Sequence, residues 1–168
     1  MSDRTLAGTW RALRARGRRA LIPYLTAGHP DRAASREALR RAAEHADILE
    51  VGVPFSDPLA DGPVIQRSTF AALAQGMTLA GTFALLAELA LPRPVVLFSY
   101  LNPVRRYGID RFLADAERHG VQGVLFTDLP AGGDPALEAR LADSPVDLIR
   151  LVAPTTPPAR VAASLEGA

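Results

Sequence analysis

The stretch Leu49-Glu-Val-Gly-Val-Pro-Phe-Ser-Asp-Pro-Leu-Ala-Asp-Gly-Pro-Val-Ile-Gln66 decides the architecture. It opens as an apolar strand and breaks into a loop that holds three prolines (Pro54, Pro58, Pro63), one glycine and two aspartates, Asp57 and Asp61. A carboxylate, Glu50, lies inside the strand. Burying a lone charge is unfavourable, so Glu50 needs a reason to be there. Long structured loops that follow strands are where α/β proteins keep their chemistry.

Outward from this stretch, apolar runs that read as strands recur at 20–26, 47–53, 94–100, 123–127 and 147–152. Helical patterns lie at 6–16, 32–45, 78–89, 110–119, 134–142 and 156–165. The last opens with Thr156 as a cap and Pro157 at the first helical position. Strands alternating with helices predict βαβ units and a parallel sheet, and near-continuous apolar strands predict a sheet covered on both faces. Such a series curls into a (β/α) barrel or an open doubly wound sheet. No Gly-x-Gly-x-x-Gly turn follows the first strand, which weakens a dinucleotide-binding reading. A full eight-unit barrel takes about 250 residues. The 168 residues supply five strands, so residues 1–168 are expected to form a single, partial barrel domain.

Composition narrows the function. Hydrophobic residues make up 48% and charged residues 22%, as in a globular domain, and the net charge of +1 gives no reason to expect nucleic acid or an anionic membrane as partner. Five arginines fall between Arg11 and Arg19 and read as a solvated helix end. No apolar run reaches the roughly 18 residues of a membrane span, and no signal-peptide core is seen, so a cytoplasmic location is expected. There is no cysteine, and all 19 basic residues are arginine. Without lysine the chain cannot form a Schiff base. His29, His45 and His119 lack metal-ligand spacing, and no metal is expected; His45 and His119 each end a helical pattern, where a positive group suits the dipole.

Polar groups gather where the strands end: Tyr24 and Thr26 on the first, Glu50 on the second with Asp61 in its loop, Tyr100 and Asn102 after the third, Asp128 after the fourth. In a parallel sheet these ends share one side, so the groups converge. Burial between Leu49 and Val51 is expected to raise the Glu50 pKa, while Asp61 in a polar loop stays ionised more readily; such a split separates a proton donor from a charge stabiliser. Other readings stay open. Glu50 would fit an edge carboxylate paired with an arginine, Asp57 and Asp61 ordinary turn chemistry, Asp128 a turn cap, and Tyr100 a core residue with a satisfied hydroxyl.

The central stretch from Glu50 to Gln66 resembles the signature of the tryptophan synthase alpha subunit family. So do Pro23-Tyr-Leu-Thr-Ala-Gly-His-Pro30, Ser99-Tyr-Leu-Asn-Pro103, Tyr107-Gly108, Thr127-Asp-Leu-Pro130 and Leu151-Val-Ala-Pro-Thr-Thr156, in the family's order. His29 departs from the acidic residue more usual there. The resemblance implies a TIM barrel that cleaves indole-3-glycerol phosphate to indole and glyceraldehyde 3-phosphate without a cofactor. It implies Glu50 as the proton donor to the indole C3 carbon and Asp61 as acceptor of the indole N–H. Tyr24, Phe98, Tyr100 and Leu125 would wall the pocket. The implied partner is the pyridoxal-phosphate-dependent beta subunit in an αββα tetramer, met by the loops 54–63 and 102–108 through Pro54, Ser56, Asp57, Pro58, Asn102, Pro103 and Tyr107. It also implies a phosphate grip, a mobile loop and a further pocket tyrosine from later barrel units, which residues 1–168 are expected to lack. The alternative is a catalytically weak chain that at most binds the beta subunit.

Overall fold

The computed structural model describes residues 5–165. Five strands form one parallel sheet in chain order: β1 (Tyr24–Thr26), β2 (Leu49–Gly52), β3 (Val95–Ser99), β4 (Val121–Phe126) and β5 (Asp147–Ile149). Sequential neighbours joined by crossover helices are what right-handed βαβ units produce. The helices are α1 (Leu6–Ala15), α2 (Arg32–His45), α3 (Pro63–Ala74), α4 (Leu79–Leu89), α5 (Leu101–Tyr107), α6 (Ile109–Arg118), α7 (Pro135–Ala142) and α8 (Pro158–Leu165).

Alternation along each strand sends successive side chains to opposite faces. Leu49, Val51, Val95, Leu97, Val124, Phe126 and Leu148 pack outward into one core with Leu39, Phe83, Leu86, Val104, Phe112 and Leu141 of the helices. Ile48, Val96, Phe98, Leu125 and Ile149 form a second, smaller cluster on the opposite, inner face. Leu6 of α1 seals the floor of that inner face. It sits where a Gly123 side chain would be: a Cβ there would lie 2.9 Å from Leu6 Cδ1. Hydroxyls and carboxylates cap the helices. Thr5, Asp31, Thr78 and Asp134 accept from Gly8, Ala34, Gly81 and Leu137 amides, each such cap contributing about 1 kcal/mol.

The register stacks the inner face in rows. Tyr24, Glu50, Val96, Gly123 and Asp147 share one row; Thr26, Gly52, Phe98, Leu125 and Ile149 share the next. Between β3 and β4 the register slips by one residue at Gln122, whose side-chain oxygen accepts the Val95 N–H at 2.8 Å in place of a ladder bond.

Several expectations change. β1 is shorter than 20–26, although Leu21 and Pro23 carbonyls still accept from Asp47 and Glu50 amides. β5 stops at Ile149, since among the described residues it has a neighbour on one side only. Two helices were not expected. Gly62 and Pro63 open α3 at its N-cap and first position, and α5 occupies most of what reads as a loop at 102–108. The last helix starts one residue late: the Pro157 carbonyl takes the Val161 amide, and Thr156 instead accepts from Ala153. Apolar side chains stay exposed beside both outer strands, Leu21 and Ile22 at β1 and Leu151 and Val152 beyond β5. Among the described residues no single helix is long and apolar enough to cross a membrane; α3 and α4 together are, but they meet at 90°.

Candidate active site

Glu50 points to the inner face. It lines a cleft of about 510 Å³ with Ile48, Val96, Ile149, Trp10 and Ile22. The side chain is half-buried, and burial alone raises its pKa above the ordinary carboxylate range. Among the described residues no arginine pairs with it, so the reading of Glu50 as half of an edge ion pair is set aside.

Tyr24 stands beside Glu50 in the same row and leans forward over Gly52. A Cβ on Gly52 would fall 2.0 Å from the Tyr24 hydroxyl, so the missing side chain is what admits the phenol. Its ring meets Phe98 edge-on, with centroids 5.3 Å apart at 80°. Burial, with Asp61 and Glu50 nearby, pushes the phenol up to about 12. Thr26 closes the strand, 3.4 Å from the Tyr24 hydroxyl and 2.7 Å from Ser68 Oγ on α3. Phe98 and Leu125 fall side by side in the next row.

The turn 58–61 roofs this wall. Asp61 is half-buried, and burial raises its carboxyl pKa while a hydrogen bond from Tyr100 opposes the rise. The expected contrast between a raised Glu50 and a more readily ionised Asp61 is therefore softer: both go up, and Asp61 has a donor holding it back. Tyr100 is buried, its hydroxyl accepts the Ala60 N–H at 2.8 Å, and its ring lies 5.1 Å from Phe55. The reading of Tyr100 as a core residue with a satisfied hydroxyl fits, and the group that satisfies it is the backbone of the turn that carries Asp61.

The remaining candidates divide. Asp128 accepts the Leu101 N–H at 2.8 Å and so caps the start of α5, as the turn reading expects. Asp57 accepts from Ser56 Oγ at 2.6 Å. Ser56, Asp57 and Asn102 are exposed; Pro54 and Pro58 are buried and shape the loop rather than face outward. Pro103 is half-buried. Tyr107 donates to Asp115 at 2.5 Å and lies under Arg111 and against Phe83. His45 ends α2 and His119 follows α6, as their pattern predicts.

Sequence reasoning missed Ser68 and Gln66 as site-supporting residues. Both sit on α3, and without that helix their side chains have no direction. The Gly62-Pro63 pair was the available signal. It also missed Arg150, a buried guanidinium whose only partner among the described residues is Glu138.

Comparison with known proteins adds a family. The profile of the tryptophan synthase alpha chain matches residues 10–168. The tryptophan synthase alpha chain of Acidiphilium cryptum is 46% identical over 155 residues, covering 90% of this chain and 56% of that protein. That of Burkholderia multivorans is 47% identical over 158 residues, covering 92% and 58%. Among solved structures, tryptophan synthase from M. tuberculosis in its aminoacrylate-bound form superposes with a TM-score of 0.92 at 40% identity, over 96% of this chain and 67% of that one. The tryptophan synthase complex from Pyrococcus furiosus gives 0.83 at 38% identity, over 88% and 62%. The chain thus spans 56–58% of the length of these two curated relatives.

Proposed function

Because the chain belongs to the tryptophan synthase alpha chain family, we propose that its site serves the alpha reaction, the retro-aldol cleavage of indole-3-glycerol phosphate to indole and glyceraldehyde 3-phosphate. The observation that carries this reading is Glu50: a half-buried carboxyl with a raised pKa and no ion-pair partner among the described residues, on the inner face, bordered by Tyr24 and Val96.

Indole is a poor carbanion, so its C3 carbon must gain a proton before the carbon–carbon bond breaks. Burial keeps Glu50 protonated at higher pH than a free carboxyl, which suits a donor, and the resulting carboxylate can take the glycerol hydroxyl proton as the carbonyl forms. Asp61 accepts the indole N–H and stabilises the positive charge that develops on the ring nitrogen. Tyr24, Phe98, Tyr100 and Leu125 supply an apolar wall for the ring. The chemistry needs no cofactor or metal of its own. Cytoplasmic location and a beta-subunit partner carrying pyridoxal phosphate in an αββα tetramer complete the proposal, with Ser56, Asp57 and Asn102 as the exposed contacts.

The test is indole release by the purified chain, with and without the beta subunit. Glu50→Gln is expected to lower release by about 10²- to 10⁴-fold. Full-rate release by Glu50→Gln would remove Glu50 from the reaction. A second reading is that the chain binds the beta subunit without turnover. Co-elution with the beta subunit without indole release would support it.

A further inference from the structure

We propose that Gln66 is the positioning residue for Asp61, clamping the turn 58–61 from within α3 through both protons of its side-chain amide. The Nε2 group donates to the Asp61 carbonyl at 2.9 Å and to the Pro58 carbonyl at 3.3 Å. An amide has two such protons, and both are used here on one turn. The turn is closed on itself by the Asp61 N–H, which donates to the Pro58 carbonyl at 3.1 Å. That carbonyl therefore takes two donors, one for each lone pair.

Apolar packing does little to hold the turn. Pro58 is buried, but Leu59 is 91% exposed, Ala60 is exposed, and nothing comes within 4 Å of where a Gly62 Cβ would be. Its position rests on polar contacts from two sides: Gln66 below, and the Tyr100 hydroxyl, which takes the Ala60 N–H at 2.8 Å. Gln66 is itself anchored, because its own N–H donates to Gly62 at 3.0 Å in the first turn of α3. Formation of α3 and closure of the turn that carries Asp61 are thereby coupled.

The inference rests on the reading of Asp61 as a site carboxylate, but its test needs no turnover. Amide hydrogen exchange is followed by NMR on the full chain, its Gln66→Met variant and its Gln66→Glu variant. Met keeps the length and removes both donors. Protection at the Ala60 and Asp61 amides is expected to fall about tenfold, the loss of a typical net hydrogen bond, while Leu97 and Val124 in the sheet stay within about twofold. Gln66→Glu is expected to behave like Met at neutral pH. On acidification its protonated carboxyl regains one donor, and protection at Ala60 and Asp61 should partly return. If the Met variant does not fold, the two pH values of the Glu variant carry the test alone. Unchanged protection, an equal loss throughout the sheet, or no recovery in acid would each overturn the clamp. Full indole release by Asp61→Asn would instead overturn the site reading and leave the clamp standing.

Discussion

The outer and inner faces of the sheet come from the same strands, one residue out of phase. Outward, Leu49, Val51, Leu97 and Val124 are fully buried under helices. Inward, the same strands offer Tyr24, Glu50, Gly52, Phe98 and Leu125, a mixture of ring, carboxyl and empty space. The outer face is saturated with partners, whereas the inner one meets Leu6 from below and opens onto a cleft that Trp10 and Leu165 also line. Stability is concentrated where each side chain has partners on all sides, and chemistry where some do not. A carboxyl that lost its water without gaining a cation is tolerable on the second face and would be ruinous on the first.

Adjacent residues sharpen that contrast most. Leu97→Ala is expected to cost about 2–5 kcal/mol in urea unfolding, because the cavity it leaves is enclosed. Phe98→Ala, on the half-open side, should cost clearly less stability. Equal losses would mean that the two faces are packed alike. Gly52→Ala comes next, at about 1–3 kcal/mol, since its methyl falls on the Tyr24 phenol. Combining it with Tyr24→Leu should recover part of that loss, and strictly additive losses would show that the phenol does not fill the glycine's place.

The smallest effect concerns Glu50 and pH. Burial raises its folded-state pKa, so the proton favours the folded chain. That contribution is complete below the unfolded pKa and is lost as pH rises through the folded one. Glu50→Gln should therefore be more stable than the parent at pH 7, with the gain vanishing toward about pH 4, the ordinary glutamate range. A gain that grew in acid would mean that Glu50 is held by an attractive partner, and the inner face would lose its distinction.

Much of this was legible beforehand. Strand alternation exposed the odd carboxyl at Glu50, and the βαβ rhythm predicted a parallel sheet with its ends on one side. The two missed helices had a common cause. Pro63 and Pro103 read as loop residues, whereas at the start of a helix the missing N–H costs nothing. Arg150 was unreadable for another reason: an arginine beside an apolar strand reads as a snorkelling edge residue unless its distant partner, Glu138, is known.

By itself the sequence determined the order of the strands, most of the helices between them, and the family, because these depend on periodicity and on motifs contiguous in the chain. Only the tertiary structure decided that Tyr24 fills the space above Gly52, that Tyr100 and Gln66 grip the Asp61 turn, and that Glu50 has no cation beside it among the described residues. These are contacts of side chains with backbone and with space left beside a glycine, brought together by strand register and the packing of helices and loops. Their energies depend on distance and burial in space, quantities that spacing along the chain does not contain.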